Sequence, residues 1–159
     1  MVLRKQALKT KWIVQGASLV SAGLLAAAYW FEFVGGLEPC TLCLYQRIPH
    51  GVMVLLGLLS LTALRPGIVF VFMIALMVIS GTLGLYHAGV EWALWSGPSG
   101  CSSSLSGLSG SEGLDQLLNT AVVRCDEVVW SFMGLSMAGW NMAISYMVAV
   151  AGYIIYRRI

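Results

Sequence analysis

Charged residues are scarce in this sequence. They make up 10% of its 159 residues, whereas about 25% of a typical soluble domain is charged. So low a content excludes an intrinsically disordered chain, an ordinary cytosolic enzyme and a nucleic-acid-binding protein with a broad basic face. The apolar content is high instead, at 58%, with a mean hydropathy of +0.83. We therefore predict a single integral membrane domain, residues 1–159, most of which is embedded in the lipid bilayer.

Four apolar stretches reach the length of about 20 residues that a membrane-spanning helix needs. They are residues 13–34, 44–64, 67–88 and about 137–156. None alternates apolar with polar residues, which favours helices over a β-barrel. Only Arg65 and Pro66 separate the second and third stretches, so we expect a tight turn there. The predicted fold is all-α: a polytopic four-helix membrane bundle with an outer loop over residues 89–136.

The basic residues indicate the orientation of the spans, because short loops rich in Lys and Arg stay in the cytoplasm. Most of them flank one side of the spans: Arg4, Lys5, Lys9, Lys11, Arg65, Arg157 and Arg158. All 7 acidic residues fall at or beyond the opposite ends. We therefore expect both termini in the cytoplasm. A cleaved signal peptide ending within residues 24–28 is an alternative, but the apolar run continues to Phe33, and the later spans would keep their directions.

This topology predicts that all 4 cysteines, Cys40, Cys43, Cys101 and Cys125, lie on the outer side, which is oxidising in a bacterium. Sequence cannot choose among the three possible connectivities, although the spacing favours a local Cys40–Cys43 pair. A Cys-x-x-Cys pair is a poor structural staple because closing so short a loop removes little chain entropy. It suits thiol–disulfide exchange better. Zinc-ribbon spacing and nearby His ligands are lacking, so we predict no metal.

The residues around the first pair favour thiolates. Glu38-Pro39-Cys40 is typical of a helix start with proline at the first helical position, which puts both sulfurs near the positive helix end. Arg47 follows Cys43 by one helical turn and lies on the same face. Arg47 is either an interfacial cation whose head group reaches water, or a donor to Cys43 and to a polar acceptor on a lipid-soluble molecule.

His87 ends the third span at about the depth of Arg47. Alone it is typical of an interfacial residue. Together with Arg47 it gives two donors on different helices, which is how an apolar ring with carbonyl oxygens would be held. His50 is interpreted as a packing or helix-contact residue, and Pro49 is expected to kink the second span.

The outer loop combines two kinds of sequence. Residues 96–113 are rich in Gly and Ser and are predicted to form a mobile tether that carries Cys101. A capping box then starts at Ser109, and apolar residues with helical spacing predict a short amphipathic helix over residues 114–122. That helix would lie on the membrane surface or bind a partner. Cys125 follows it, after Arg124, a cation at the helix C-terminus.

With these features the chain closely resembles the bacterial DsbB family of quinone-dependent, disulfide-generating membrane proteins. The resemblance covers the four spans, the segment Pro39-Cys40-Thr41-Leu42-Cys43-Leu44-Tyr45-Gln46-Arg47 before the second span, His87, and a second cysteine pair before Trp130 and Gly134. It implies a thiol oxidase of the bacterial inner membrane with periplasmic cysteines.

The resemblance also implies residue roles. Reduced DsbA, a periplasmic thioredoxin-like protein, would attack Cys101 and consume a Cys101–Cys125 disulfide. Electrons would pass to Cys40 and Cys43 through a transient Cys40–Cys125 bridge. Cys43, Arg47 and His87 would bind a quinone of the membrane pool, ubiquinone or menaquinone, with Arg47 stabilising the Cys43 thiolate.

Two rival functions stay open from the sequence. One is an enzyme like vitamin K epoxide reductase, although in such an enzyme the Cys-x-x-Cys lies near the last span, whereas in this chain it precedes the second. The other is a nonenzymatic assembly or haem-handling protein with four spans and structural disulfides, although the chain has only 2 histidines. The Gly- and Ser-rich surroundings of Cys101 leave the choice of protein partner open as well.

Overall fold

Four long helices make up most of the computed structural model, which describes residues 2–98 and 124–158. They are α1 (Val2–Phe33), α2 (Thr41–Leu59), α3 (Pro66–Glu91) and α4 (Met137–Arg157). Each is long and apolar enough to cross a membrane. The predicted all-α bundle of four membrane helices is confirmed.

Successive helices run in opposite directions. Gln15, in the first half of α1, donates from Nε2 to the carbonyl of Gly57 near the end of α2. Gly84, late in α3, lies beside Ala138 at the start of α4. The ends of α1 and α3 therefore meet the starts of α2 and α4 at one end of the bundle. We term it the cysteine end, because Cys40, Cys43 and Cys125 lie there.

The turn between α2 and α3 is longer than predicted. Helix α2 ends at Leu59 rather than at residue 64, and the N–H groups of residues 61–64 bond back to the carbonyls of Leu58 and Leu59. Arg65 is extended (φ −69°, ψ 125°) because a residue before proline avoids the helical region, and Pro66 then opens α3. The apolar residues thus continue into the turn. Local backbone hydrogen bonds, rather than hydropathy, determine where α2 ends.

Close packing fixes the helices relative to one another. A Cβ added to Gly84 would lie 2.9 Å from the Ala138 carbonyl oxygen and 2.9 Å from the Met142 nitrogen, both of them backbone atoms. Such small residues let membrane helices approach closely. Apolar side chains that are almost fully buried fill the centre of the bundle: Val14, Met53, Val69, Met73 and Met77. The bundle is therefore a rigid frame for the cysteine end.

A short β-hairpin precedes α4, and the sequence analysis did not predict it. Ser131–Phe132 pairs antiparallel with Leu135–Ser136. The two turn residues, Met133 and Gly134, have φ of 52° and 79°, the left-handed conformation of a type I′ turn. Trp130, just before the hairpin, packs on Phe31 of α1 with ring centroids 4.9 Å apart. The hairpin therefore covers the cysteine end from the side of α1.

Some predictions concern residues 99–123, which lie outside the described residues. They are the mobile tether with Cys101 and the amphipathic helix over residues 114–122. Both stay predictions, as does the extent of the outer loop.

Candidate functional site

Two free thiols, Cys40 and Cys43, lie at the start of α2. Cys40 is the N-cap residue, with an extended backbone (φ −73°, ψ 169°), and its Sγ accepts a hydrogen bond from the Cys43 N–H at 3.3 Å. The two Sγ atoms are 3.2 Å apart. The structure has the helix start that the sequence predicts, but the first helical residue is Thr41, so Pro39 precedes the cap. The pair thus occupies the positive end of the helix.

The surroundings of Cys40 favour its thiolate. The hydrogen bond from the Cys43 thiol, together with the hydrogen bond from His87, lowers the pKa of Cys40 to about 4 against the opposing effect of burial. His87 Nε2 is 3.6 Å from Cys40 Sγ. Within this pair, Cys40 therefore carries the negative charge. The sequence predicts thiolates at both positions, and the thiolate at Cys43 that the family resemblance implies stays a prediction.

Cys125 lies in a buried cluster with Cys40, Leu42 and Val90. It is disulfide-bonded and 1% exposed. The His87 imidazole also lies near the backbone of Cys125. Because Cys101 lies outside the described residues, its pairing stays a prediction. The structure nevertheless brings Cys125 of the loop next to the Cys-x-x-Cys pair.

A cavity of about 420 Å³ opens on the other side of the dithiol, between α1, α2, α4 and the hairpin. Cys43 lines it, whereas Cys40 does not. Most of the wall is apolar, with side chains such as Leu24, Leu25, Phe31, Val129, Trp130 and Trp140. The polar groups on the wall come mainly from α2 and α4: Gln46, Arg47, His50 and Asn141. We term this space the large cavity.

A smaller cavity, of about 40 Å³, lies on the Cys40 side. Cys40, Cys43, His87 and Glu91 line it. Cys43 is therefore the one described cysteine that borders both spaces. Cys43 thus lies where the small cavity and the large cavity meet.

Arg47 lies on the wall of the large cavity, where side chains and backbone of α1 hold it. Its Nη1 forms an ion pair with Glu32 Oε2, its Nη2 donates to the Ala28 carbonyl, and its guanidinium carbon is 4.7 Å from the centroid of the Tyr29 ring. Among the described residues, the hydrogen bonds of Arg47 go to Glu32 and Ala28 and none goes to Cys43. Arg47 and Cys43 share a cavity, and the predicted stabilisation of the Cys43 thiolate by Arg47 stays a prediction.

His87 does not line the large cavity. Besides its contact with Cys40, its Nδ1 is 2.8 Å from Gln46 Nε2, and its Nε2 is 3.9 Å from Glu91 Oε1. Arg47 therefore lies on the wall of the large cavity and His87 does not, and the prediction that the two hold one ring together stays a prediction. Sequence gives the depth of a residue in a span but not the direction in which its helix turns it.

Deeper in the bundle, a hydrogen-bonded network that the sequence analysis missed connects all four helices. His50 Nδ1 is 3.2 Å from Ser21 Oγ, and His50 Nε2 is 2.8 Å from Asn141 Oδ1 and 2.9 Å from Ser80 Oγ. Asn141 Nδ2 donates to Gln46 Oε1 at 2.6 Å. His50 is thus a helix-contact residue, as its sequence suggested. The available signal was the polar side chains themselves, which are costly in an apolar span unless they find partners.

Cys40, Cys43 and His87 also meet the distance requirement for a metal site, because their ligand atoms lie within 4.8 Å of one another. The sequence analysis predicted no metal, since His87 is far from the cysteines along the chain. The orientation of the His87 ring decides whether its nitrogen can bind a metal, and this is considered below.

These features define a class. A bundle of four membrane-spanning helices carries a free dithiol, with Cys40 buried and Cys43 partly buried, near a disulfide-bonded cysteine and beside a large apolar cavity. This arrangement is suited to a membrane-embedded thiol–disulfide oxidoreductase.

Comparison with known proteins specifies the family. A family model described as "Disulfide bond formation protein DsbB" matches residues 10–155. A protein of Marinobacter nauticus named "Disulfide bond formation protein B" is 33% identical over 156 residues, which cover 94% of this chain and 93% of that protein. The protein of the same name from Xylella fastidiosa is 32% identical, over 86% of this chain and 84% of its own length. The protein of the same name from Methylococcus capsulatus is 35% identical, over 77% of this chain and 79% of its own length. The chain belongs to the DsbB family and is a multi-pass membrane oxidoreductase that forms disulfides. Neither rival function is supported.

Proposed function

We propose that the chain carries electrons from a periplasmic, DsbA-like thioredoxin-fold protein to a membrane quinone, first through Cys101 and Cys125 and then through Cys40 and Cys43. The observation that carries this proposal is the order of groups at the cysteine end. Disulfide-bonded Cys125 shares a buried cluster with Cys40, Cys40 contacts Cys43, and Cys43 borders the large cavity. The order leads from a sulfur of the loop to a space suited to a lipid-soluble acceptor.

On the protein side, each step is an exchange of one disulfide for another. A thiolate of the reduced partner attacks Cys101, and its second thiol releases the mixed disulfide, which leaves Cys101 and Cys125 reduced. The Cys125 thiolate then attacks Cys40 of a Cys40–Cys43 disulfide, and Cys101 resolves that bond. Two electrons move in each exchange and the number of disulfides is conserved.

The presence of Cys125 and Cys40 in one buried cluster supports the Cys40–Cys125 step, because attack requires the two sulfurs to come together. The combination of free Cys40 and Cys43 with disulfide-bonded Cys125 is the state expected after that exchange and before the dithiol is reoxidised.

The large cavity fits the ring of a quinone. Its volume and apolar walls with a few polar groups are typical of sites for such ligands. A bound ubiquinone or menaquinone would accept the two electrons and two protons released when the Cys40–Cys43 dithiol closes to a disulfide. Cys43 is the cysteine that faces this space, and Arg47 supplies a charged hydrogen-bond donor on its wall. We assign His87 to Cys40 rather than to the quinone, because His87 contacts Cys40 and does not line the large cavity.

The distribution of charge supports the orientation. Basic residues lie at the end of the bundle opposite the cysteines, in α1, in the α2–α3 turn and at the end of α4: Lys11, Arg65, Arg157 and Arg158. By the positive-inside rule, that end and both termini face the cytoplasm and the cysteine end faces the periplasm. In a bacterium, the protein is then an inner-membrane protein.

The test is an anaerobic assay with detergent-purified protein, a reduced thioredoxin-like protein and a ubiquinone analogue. We expect one quinone to be reduced for each two thiols that the partner loses. Quinone absorbance and free-thiol counts measure the two quantities in the same sample.

Cys43→Ser is the matched inactive variant, because it removes the sulfur at the large cavity and leaves Cys40 in place. It is expected to abolish quinone reduction. Loss of partner thiols without loss of quinone, or full activity of Cys43→Ser, would contradict the proposed function.

A further inference from the structure

We propose that Gln46 fixes His87 as the neutral tautomer with its proton on Nε2, so that this nitrogen donates to Cys40 and is withheld from metal ions. Gln46 is then a positioning residue that acts through His87. The proposal rests on the proposed redox role of the Cys40–Cys43 dithiol. It gives a reason why these thiols stay free although Cys40, Cys43 and His87 could together bind a metal ion.

The first step concerns the side-chain amide of Gln46. Its Nε2 donates to the Leu42 carbonyl at 3.3 Å, and its Oε1 accepts from Asn141 Nδ2 at 2.6 Å. A backbone carbonyl can only accept, so the amide end that faces Leu42 is the NH₂ group. This orientation does not depend on His87.

The second step concerns Asn141, whose orientation is fixed in the same way. Its Nδ2 also donates to the Ser80 carbonyl at 3.3 Å, and its Oδ1 accepts from the Ser145 hydroxyl at 3.2 Å. Rotating either amide by 180° would therefore break bonds to a backbone carbonyl and set two like groups of Gln46 and Asn141 against each other. Carbonyls of α2 and α3 together lock both amides.

The third step transfers this orientation to His87. Gln46 Nε2 is 2.8 Å from His87 Nδ1, and an amide NH₂ group can only donate. His87 Nδ1 therefore accepts and carries no proton, so the proton of the neutral ring is on Nε2. That nitrogen is the one 3.6 Å from Cys40 Sγ. His87 can thus stabilise a Cys40 thiolate as a neutral donor.

The same orientation opposes metal binding. Two thiols and an imidazole with Glu91 close by form a donor set that suits Zn²⁺. A metal-binding histidine must present an unprotonated nitrogen and donate its other N–H to an acceptor. In this site the group facing Nδ1 is itself a donor. Binding through Nε2 would require the locked amides of Gln46 and Asn141 to rotate.

The variant Gln46→Glu tests this directly, because it replaces the donor with a carboxylate oxygen of nearly the same shape. That oxygen would accept a hydrogen bond from a protonated Nδ1. Nε2 would then be unprotonated and able to bind a metal ion. Gln15→Glu is the matched control: Gln15 is also an amide within a helix, bonded to Gly57 and Ser60, at the far end of the bundle from the dithiol.

Two readouts are needed on the full-length protein in detergent. Nitrogen-15 NMR of histidine should show the His87 proton on Nε2 in wild type, and a protonated Nδ1 in Gln46→Glu. Titration of the reduced proteins with Co²⁺, followed by thiolate-to-metal absorption, should show roughly 10- to 100-fold tighter binding by Gln46→Glu than by wild type. Gln15→Glu should match wild type in both.

A wild-type measurement keeps the proposal testable if Gln46→Glu does not fold. When Cys40 and Cys43 are oxidised to a disulfide, no thiolate faces His87, yet Gln46 should still hold the proton on Nε2. A protonated Nδ1 in either redox state of wild type overturns the proposal, as does Co²⁺ affinity of Gln46→Glu equal to that of Gln15→Glu. Neither readout involves quinone or partner, so failure here leaves the proposed function intact, and failure of quinone reduction leaves this proposal intact.

Discussion

At the scale of single residues, the two cysteines of the Cys-x-x-Cys pair differ in what surrounds them. Cys40 accepts the Cys43 N–H, contacts His87 and shares a buried cluster with Cys125, whereas Cys43 borders the large cavity. Cys40 is therefore suited to exchange with the loop disulfide and Cys43 to electron transfer out of the protein. The resemblance to the DsbB family implies this division between Cys40 and Cys43. The spacing of the residues alone does not, because neighbours from α3 and the loop create it.

The low pKa of Cys40 predicts a thiolate that persists in acid. The Cys43 hydrogen bond and His87 lower this pKa to about 4 in the folded protein, against about 8.5 for a free thiol. Thiolate absorbance of reduced protein should therefore persist as the pH falls from 8 and disappear only near pH 4. Because the folded pKa is the lower one, this thiolate contributes stability fully above about pH 8.5, and the contribution is lost as pH falls through about 4.

Cys40→Ser should remove the acid-stable absorbance, and His87→Leu should move its midpoint to higher pH. Cys43→Ser should retain a thiolate at Cys40. A midpoint near pH 8 in the wild type would contradict this account of the dithiol.

Arg47 gives the second prediction at this scale. Arg47→Met removes the charged donor from the wall of the large cavity, where a charge-assisted hydrogen bond contributes about 1.5–3 kcal/mol. We expect the apparent KM for quinone to rise roughly tenfold or more, while the rate of dithiol exchange with the thioredoxin-like partner changes little. Steady-state kinetics at varied quinone concentration measure both. Arg65→Met, at the other end of the bundle, is the control, and equal quinone dependence in the two variants would contradict the role of Arg47.

At the scale of helices and strands, hydropathy predicted the four membrane helices, because these depend on the length and composition of apolar runs. The four spans follow from runs of about 20 apolar residues. The predicted end of α2 at residue 64 was wrong, because residues 60–64 are mostly apolar yet form a turn. Pro66 and local hydrogen bonds determine that turn. The β-hairpin was missed because only Gly134 marks it, and its partner in the turn, Met133, carries no turn signal.

The approach of α3 to α4 gives a prediction for stability. Gly84→Ala places a Cβ against backbone atoms of Ala138 and Met142, at 2.9 Å from each, so the helices must separate. We expect a loss of about 1–3 kcal/mol in the free energy of unfolding and a lower Tm in detergent. Gly16→Ala is the matched control, because nothing lies within 4 Å of a Cβ at Gly16. An unchanged Tm for Gly84→Ala would show that this contact does not hold the bundle together.

At the scale of the whole molecule, the chain has two chemically different ends. Most basic side chains lie at one end, and the dithiol, the two cavities, the hairpin, Arg47 and Arg124 lie at the other. Sequence predicted this polarity, because it depends only on the order of charges and spans along the chain. The hydrogen-bonded network of His50, Asn141 and Gln46 could not be predicted, because pairing across helices depends on the rotation of each helix about its axis.

Labelling with a membrane-impermeant maleimide tests the orientation. In a variant without native cysteines, a single cysteine at exposed position 38 (Glu38→Cys) should react in intact spheroplasts, whereas one in the α2–α3 turn (Arg65→Cys) should react only after lysis. The reverse pattern would put the dithiol on the cytoplasmic side, where thiols are kept reduced.

The central claim is that the Cys40–Cys43 dithiol itself reduces quinone from the large cavity. A single-turnover experiment tests it most directly: fully reduced protein is mixed anaerobically with a ubiquinone analogue, without any partner protein, and quinone absorbance is followed. We predict that quinone is reduced as the Cys40–Cys43 disulfide forms, one quinone for each disulfide, and that Cys43→Ser shows no such phase. If the disulfide forms while the quinone stays oxidised, or if Cys43→Ser reduces quinone as fast as wild type, the claim is contradicted.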